Sequence, residues 1–383
     1  MIKTIRLFFY FIIIFLLFSI KEIYSQYREI HIPLRRNEEI LLGFYDYEKY
    51  IVLSRINNIL SLKKIYSDRR ITGLNHNFSE GEITYVNFFE DYNINKFVYV
   101  INNNDQYFLK IFDENFNLIY ENRILDSNLK LINIFLWKEQ YKLLFFVNDN
   151  NYLKIFSFDL NNNLTNSINT NIIIDKNDLR VKSSQHYLFL NIKKDNGSSL
   201  LVFDRSLNLI DQSFWENLRL NDYDFIGNTL YLCGYDNNYY IKIKSYNFIN
   251  RRITEYDVGE IKFQNLLKCD YLSGDVNDLF YLYDQNNNIN LRSLFSPLNL
   301  IAENIHSHRN KIIESYHKNE EFFDGFINYI ISKPLGLYII SFNIYNNNFS
   351  IKNFNRSNFV GFDNGIFFIK NNLLNRLIIL DFN

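Results

Sequence analysis

The chain has 383 residues and a formal net charge of −1, with Lys and Arg spread along its whole length. Hydrophobic residues make up 47% of it, including 37 Phe and 29 Tyr, which excludes a disordered chain and allows a large core. The absence of a basic cluster excludes an electrostatic surface for nucleic acid or anionic lipid, so we expect no nucleic-acid partner.

The first 25 residues have the pattern of a secretory signal peptide. Lys3 and Arg6 precede an apolar run from Leu7 to Phe18, and the small residue Ser25 marks a cleavage position before Gln26. The run is shorter than the ~20 residues that span a bilayer. The sequence therefore predicts export to the periplasm, the cell surface or the medium. An uncleaved membrane anchor, the only membrane span that the sequence allows, is the alternative.

Strand-like segments follow one another after this signal. The first, YREIHIPL (27–34), alternates apolar and polar residues and precedes a repeat-like unit at 50–65. Three segments of strand length, LKLINIFLW, YKLLFFVND and YLKIFSFD, then fill residues 129–159. No helical pattern interrupts the series, so the sequence predicts an all-β protein.

An aromatic residue recurs near the end of an apolar segment at intervals of 40 to 49 residues. These anchors are Phe112, Phe158, Phe203, Tyr246, Phe295, Phe342 and Phe382. With the unit at 50–65 they make eight units, each as long as a four-stranded propeller blade. We predict a single β-propeller domain over residues 26–383 with eight blades, or seven as the alternative. A pair of β-sandwiches would not give a regular period along the chain.

The two ends of the mature chain complement each other. The last unit supplies VGFD (360–363), IFFIK (366–370) and RLIILDF (376–382) but lacks the outer strand of the other units. The segment at 27–34 is a strand without a blade. Since an unpaired apolar edge promotes aggregation, we predict that the N-terminal strand completes the last blade and closes the ring.

Polar residues between the strands predict turns. Runs of three Asn occur at 102–104, 161–163, 286–288 and 346–348, and Asn tolerates the left-handed backbone conformation. Asp113, Asp159 and Asp204 recur at the same position of successive units, which indicates a structural role in a turn rather than catalysis.

Two segments resemble the end of the third strand in WD40-type repeats, where an aromatic-Asp pair follows alternating apolar residues. They are LKIFDEN (109–115) and LLVFDRS (200–206), and NDNNYLKIFSFDL (148–160) resembles the turn and strand of such a repeat. The units lack an opening Gly-His pair, and Phe replaces Trp. The resemblance implies a propeller that serves as a rigid binding platform.

The segment 302–325 is the richest in chemistry-bearing side chains. His306 and His308 would share one face of a strand, and with Glu314 or His317 they would supply three zinc ligands. The competing interpretation, which we favour, is a solvated blade edge and its loop. We therefore expect no metal and no cofactor, and we keep these four residues as candidate binding residues.

The two cysteines, Cys233 and Cys269, fall in adjacent units. Export permits a disulfide, but packed sheets lie ~10 Å apart, and bridged Cα atoms lie about 4.4–6.8 Å apart. We predict two buried free thiols.

No catalytic motif stands out, so we expect a monomeric, non-enzymatic binding or scaffold protein for a protein or glycan partner. The competing hypothesis is a propeller hydrolase or lyase acting on an extracellular polymer. Polar residues with shifted pKa values in the central funnel would favour the enzyme. A bland funnel beside an exposed aromatic patch would favour the binding protein.

Overall fold

The computed structural model describes residues 28–46, 49–77, 81–91, 94–125, 129–161, 163–174, 179–194, 196–273, 276–302, 311–317, 325–363 and 366–381. These residues form 32 strands, numbered β1 to β32 in chain order, and a single 3₁₀ turn at Lys138–Gln140. The predicted signal peptide lies outside the described residues.

The strands form eight four-stranded antiparallel sheets, the blades of an eight-bladed β-propeller. Blades 1 to 7 each take four strands in chain order, and blade 8 takes β30, β31, β32 and β1. The prediction of eight blades is confirmed over seven. The chain also divides into two compact units, one with the described residues up to Asn77, 335–337 and those from 353 onward, the other with 81–334 and 338–352. The single domain over 26–383 stays a prediction.

The first unit contains blades 1 and 8. The strands of blade 1 are β2 (Glu39–Asp46), β3 (Lys49–Ile56), β4 (Ile59–Tyr66) and β5 (Ile71–Asn77). Those of blade 8 are β30 (Ser357–Asp363), β31 (Ile366–Asn371), β32 (Arg376–Asp381) and β1 (Arg28–Pro33). β1 runs antiparallel to β32, and its buried residues Ile30 and Ile32 lie opposite Ile379 and Leu377. The predicted completion of the last blade by the N-terminal strand is confirmed.

Blades 2 to 7 belong mainly to the second unit. Blades 2 and 3 are β6 (Glu82–Asp91), β7 (Ile94–Asn103), β8 (Gln106–Asp113), β9 (Leu118–Leu125), β10 (Lys130–Trp137), β11 (Lys142–Asp149), β12 (Tyr152–Asp159) and β13 (Leu164–Ile173). Blades 4 and 5 are β14 (Leu179–Ser183), β15 (Tyr187–Lys194), β16 (Gly197–Asp204), β17 (Leu209–Glu216), β18 (Arg219–Ile226), β19 (Thr229–Tyr235), β20 (Ile241–Asn247) and β21 (Arg252–Tyr256). Blades 6 and 7 are β22 (Leu267–Leu272), β23 (Asp278–Gln285), β24 (Asn288–Ser293), β25 (Asn299–Ala302), β26 (Lys311–His317), β27 (Phe326–Lys333), β28 (Gly336–Asn343) and β29 (Asn348–Asn355).

The core lies between neighbouring blades, and a single strand contributes side chains to the interfaces on both sides of its blade. In β11, Leu144 and Phe146 pack with blade 4 residues such as Leu188, whereas Phe145 packs with blade 2 residues such as Val98. Successive residues of a strand point to opposite faces, so a strand buried on both faces has no polar alternation. The unbroken apolar runs in the sequence have this origin.

The recurring Asp residues hold the turns that follow the third strands. Asp204 Oδ1 accepts hydrogen bonds from the backbone N–H groups of Ser206 and Asn208, both at 2.8 Å, and its Oδ2 accepts one from Asn208 Nδ2. Asp113 repeats the arrangement with Asn115 and Asn117. The structural role predicted for these two residues is confirmed.

One predicted anchor, Phe295, lies one residue after the true anchor position. Phe295 is half exposed beyond the end of β24, and the anchor position belongs to Leu294, whose N–H donates to the carbonyl of Leu279 at 2.8 Å. In this blade the turn carboxylate comes from Asp278 on the adjacent strand, which accepts from Phe295 N at 3.0 Å. Because no Asp follows the anchor in the sequence of β24, this segment has no aromatic-Asp pair from which its register could be predicted. Phe382 lies outside the described residues.

Cys233 and Cys269 are free and fully buried, as predicted. They belong to the neighbouring blades 5 and 6 and share one apolar cluster with Ile243 and Tyr281. Among the described residues, no helix is long and apolar enough to cross a membrane.

Candidate binding site

A polar pocket opens in the second unit where the first strands of blades 4 to 7 begin. These are inner strands, since β18 and β22 of neighbouring blades contact each other directly. The cavity has a volume of about 510 Å³, within the range of small-ligand sites. It is lined by Arg180, Lys193, Asn221, Asp222, Asn265, Leu266, Leu267, Lys268, Lys311 and Ile312. We call this cavity the inner-strand pocket.

The inner-strand pocket is positively charged, although the chain as a whole carries a net charge of −1. Its lining contains four cationic side chains and one acidic side chain, a surplus of three positive charges. Arg180 and Lys311 make no side-chain hydrogen bond and no ion pair within 4 Å with any described residue, although Arg180 lies near enough to Asp222 to help lower its pKa. Two cations are therefore available to a ligand.

The one lining carboxylate, Asp222, is already neutralised. Its Oδ1 lies 3.3 Å from Lys182 Nζ, its Oδ2 lies 3.5 Å from Lys268 Nζ, and Oδ2 also accepts from Cys269 N at 3.2 Å. Burial alone would raise the pKa of Asp222, but the two ammonium groups outweigh it and lower that pKa to about 2. Burial alone would lower the pKa of Lys182, but the negative charge of Asp222 outweighs burial and raises that pKa above its ordinary value. Both groups stay charged across the physiological range.

A second buried carboxylate, Asp270, joins blades 6 and 7 behind the inner-strand pocket. Its Oδ1 accepts from Ser315 Oγ at 2.8 Å and lies 3.8 Å from Lys268 Nζ. Its Oδ2 accepts from Tyr329 OH at 2.9 Å. These bonds fix Lys268 between two carboxylates, so the charge beside the pocket is held in place.

Among the described carboxylates near the inner-strand pocket, Asp224 is the one whose pKa is raised. Burial raises it most, and the neighbouring charge of Asp270 adds to the effect, against the opposing influence of Lys182. Its Oδ2 accepts from Tyr271 N at 2.7 Å.

Three parallel aromatic rings stand at the same end of blade 5. The ring of Tyr235 lies 4.2 Å from Phe263 with an interplanar angle of 3°, and 5.6 Å from Tyr239 with an angle of 10°. Tyr239 is 51% exposed and ends the row, so one face of its ring is turned away from Tyr235. Phe263 lies two residues before Asn265, which lines the inner-strand pocket. We call these three residues the aromatic stack.

Backbone hydrogen bonds and a tight turn hold the residues of the aromatic stack in place. Tyr235 ends β19 opposite Arg219, the first residue of β18. Tyr239 has the left-handed φ of 64°, and its carbonyl accepts from Phe263 N at 2.7 Å. Asp236 Oδ1 accepts from the N–H groups of Asn238 and Tyr240, both at 2.9 Å, which closes the loop.

The four candidate binding residues predicted from the sequence do not line the inner-strand pocket as described. His306 and His308 lie outside the described residues, and Glu314 and His317 lie on β26, where their side chains are not described. The same strand reaches the inner-strand pocket through Lys311. No group of three potential metal ligands occurs among the described residues. Zinc binding by the four residues stays a hypothesis.

Sequence reasoning missed the cations of the inner-strand pocket. Arg180, Lys268 and Lys311 come from three different blades, 131 residues apart at the extremes, and none belongs to a motif. The one signal that links them is position, since each lies at the first or second residue of an inner strand. Aligning the units by strand start would have placed them together.

Comparisons with known proteins support the fold and no more. No family model and no curated protein matches the chain. The WD40 domain of SCAP from fission yeast is similar with a TM-score of 0.55 and 10% identity, over 94% of this chain and 98% of that domain. The Dos1 propeller is similar with a TM-score of 0.57 and 10% identity, over 94% and 96%.

An enzyme is also among the similar structures. A prolyl endopeptidase matches with a TM-score of 0.54 and 10% identity over 89% of this chain. This chain spans about half of that protein, 55% of its length. Identities this low establish a shared propeller architecture, which hosts both binding domains and enzymes.

Proposed function

We propose that this chain is an exported, non-enzymatic β-propeller that binds an extracellular partner through the inner-strand pocket and the aromatic stack. The observation that carries the proposal is a cationic cavity where the inner strands of blades 4 to 7 begin, with the aromatic stack at the same end of blade 5 and linked to the cavity along the chain from Phe263 to Asn265. Export rests on the signal pattern of residues 1–25. The architecture, shared with WD40 domains, supplies a rigid platform.

The charged cluster favours binding over catalysis. A general acid or base works best with a pKa near the operating pH. The pKa values of Asp222 and Lys182 move in opposite directions, away from neutrality, so these groups stay ionised. They act as fixed charges that orient a ligand.

The aromatic stack favours a glycan over a protein partner. An aromatic ring with a free face packs against the apolar face of a sugar ring, and Tyr239 offers such a face. The neighbouring cavity of about 510 Å³ admits a unit of one to a few sugars rather than a folded surface.

The binding test uses purified mature protein, residues 26–383, and a panel of extracellular polysaccharides, both neutral and acidic. We expect retention on at least one polymer, weakened by Tyr239→Ala, with Tyr152→Ala as the control because Tyr152 is also about half exposed but lies on blade 3. Absence of binding to every polymer, with binding to a protein from the same envelope, would replace the glycan with a protein partner. Binding to neither class would overturn the proposal.

Asp224 gives the competing enzyme hypothesis one specific observation, because a raised pKa suits a general acid. Prolonged incubation with any polymer that binds tests it. We expect the polymer to keep its chain length. New reducing ends or unsaturated sugar products, abolished by Asp224→Asn, would establish a hydrolase or lyase instead.

A further inference from the structure

We infer that the inner-strand pocket binds an acidic saccharide, with Arg180 and Lys311 contacting its carboxylate or sulfate group and Tyr239 packing on a sugar ring. The inference rests on the proposed function and adds the chemical class of the ligand. A neutral saccharide would leave the two cations without a counter-charge.

The charge arrangement selects an anion. Among the cations of the lining, Lys268 is held between Asp222 and Asp270 at 3.5 and 3.8 Å. Arg180 and Lys311 have no such partner among the described residues, and they come from the inner strands β14 and β26 on either side of it. A guanidinium fork binds carboxylate and sulfate oxygens in pairs, and an ammonium adds a point charge. The lining therefore presents to one ligand two cations that contact no carboxylate among the described residues.

A buried amide without a hydrogen-bond partner lies next to Arg180 in the sheet. Asn191 lies directly opposite Arg180 in the β14–β15 ladder and on the same strand face as Lys193. It is fully buried, and neither its Nδ2 nor its Oδ1 has a hydrogen-bond partner among the described residues. Buried polar groups in native proteins are nearly always paired. Asn191 is not among the residues that line the pocket, so it extends the polar region next to Arg180 and is not itself a ligand contact.

The aromatic stack is the reason for inferring that the ligand contains a sugar ring. Phe263 is the end of the row that leads through two residues to the pocket-lining Asn265, and Tyr239 is the far end, so a ligand that reaches both must be an extended chain. A ligand that spans both features carries a ring with an apolar face and an anionic substituent. Uronates and sulfated sugars have both features. Inorganic anions lack the ring, and neutral sugars lack the anionic group.

The test compares three defined probes of similar length by titration calorimetry with the mature protein. They are an oligogalacturonate, a heparin-derived sulfated oligosaccharide and a neutral malto-oligosaccharide. We expect one or both acidic probes to bind at least ~10-fold more tightly than the neutral one, with affinity that falls as salt rises. Which acidic probe binds better distinguishes carboxylate from sulfate.

Variants assign the contacts. Arg180→Ala and Lys311→Ala should each weaken the acidic probe ~10-fold or more, and Tyr239→Ala should weaken acidic and neutral probes alike. Arg252→Ala is the matched control, since Arg252 is exposed on the outer strand β21 of blade 5 and its loss should change nothing. Melting curves confirm that every variant is folded.

The outcomes separate the inference from the proposed function. Equal affinity for neutral and acidic probes, unaffected by Arg180→Ala, would overturn the acidic ligand and leave a glycan-binding propeller. Acidic probes that bind but respond to Arg252→Ala as strongly as to Arg180→Ala would show diffuse charge attraction, which also overturns the inference. Failure of all probes and of the wider panel would remove the proposed function itself.

Discussion

Ile30 lies directly opposite Ile379, so residues from near the two ends of the described chain form one cross-strand pair inside blade 8. Ile32, two residues on, is also buried, whereas His31 between them is exposed. Because removal of a buried Ile side chain leaves a cavity, we expect Ile32→Ala to lower the free energy of unfolding by about 2–5 kcal/mol. Urea unfolding of the mature protein measures the change.

His31→Ala is the control for this pairing, because it alters the same strand on its exposed face. Its ion pair with Glu29 is at the surface, so its loss should change stability by less than ~1 kcal/mol. Deletion of residues 26–35 should lower the melting temperature sharply or cause aggregation through the bared edge of β32. A truncated protein that melts with its parent would contradict the closure of blade 8.

Glu38 provides the second prediction, as a fully buried carboxylate in blade 1. It accepts hydrogen bonds from Ser54 Oγ at 2.6 Å, from Arg35 N at 2.9 Å, and from the ammonium group of Lys63. Because Lys63 would keep its charge without a partner, Glu38→Gln should cost about 3 kcal/mol. The neighbouring pair Glu39–Arg55 is exposed, so Glu39→Gln should cost less than ~1 kcal/mol.

The same residue predicts a dependence of stability on pH. Burial opposes the charged form, but the three hydrogen bonds outweigh it and hold the pKa of Glu38 below its ordinary value. A pKa lower in the folded than in the unfolded chain gives stability that is complete above the unfolded value and is lost as the pH falls through the folded value. The difference between parent and Glu38→Gln should therefore shrink on acidification. A constant difference would contradict the lowered pKa.

The architecture was predictable from the sequence because it depends on repetition. Strand length and Asn-rich turns recur along the chain, and the pair Phe203–Asp204 has close copies in blades 2 and 3; each of these signals is read from a short stretch of sequence. The register of β24 was predicted one residue late because Asp278, on another strand, supplies its turn carboxylate. The site was not predicted, since Arg180 and Lys311 belong to no motif and line one cavity only after blades 4 to 7 have packed; their shared position at the start of an inner strand was the only signal.

Thiol chemistry tests the burial of Cys233 and Cys269. Burial raises the pKa of both thiols, and that of Cys269 lies well above its ordinary value. Since the thiolate is the reactive form, we expect neither to react with a disulfide reagent in the native protein at neutral pH. Both should react in denaturant without reductant. No reactive thiol under those conditions would show that exported protein carries a disulfide.

The candidate residues of the segment 302–325 are tested by elemental analysis of purified protein. We expect no stoichiometric zinc, because the sequence of this segment favours a solvated blade edge and loop over a metal site. About one ion per chain, lost on changing His306 and His308 to Ala, would establish the three-ligand site instead. His186→Ala is a suitable control, since this histidine is exposed on blade 4.

Mass spectrometry of the protein from its native host tests export. Cleavage should leave Gln26 as the first residue, two residues before β1 begins. Intact Met1 on protein in the envelope would indicate the uncleaved anchor. Intact Met1 on protein in the cytoplasm would contradict export.

The pairing of β1 with β32 imposes an order on biosynthesis. Residues 28–33 are made first, but they have no partner until residues 376–381 have left the ribosome. Throughout synthesis, and throughout translocation if the chain is exported, the apolar side of β1 must stay unpaired without joining another strand. Blade 8 is therefore the last of the eight blades that can be completed during synthesis.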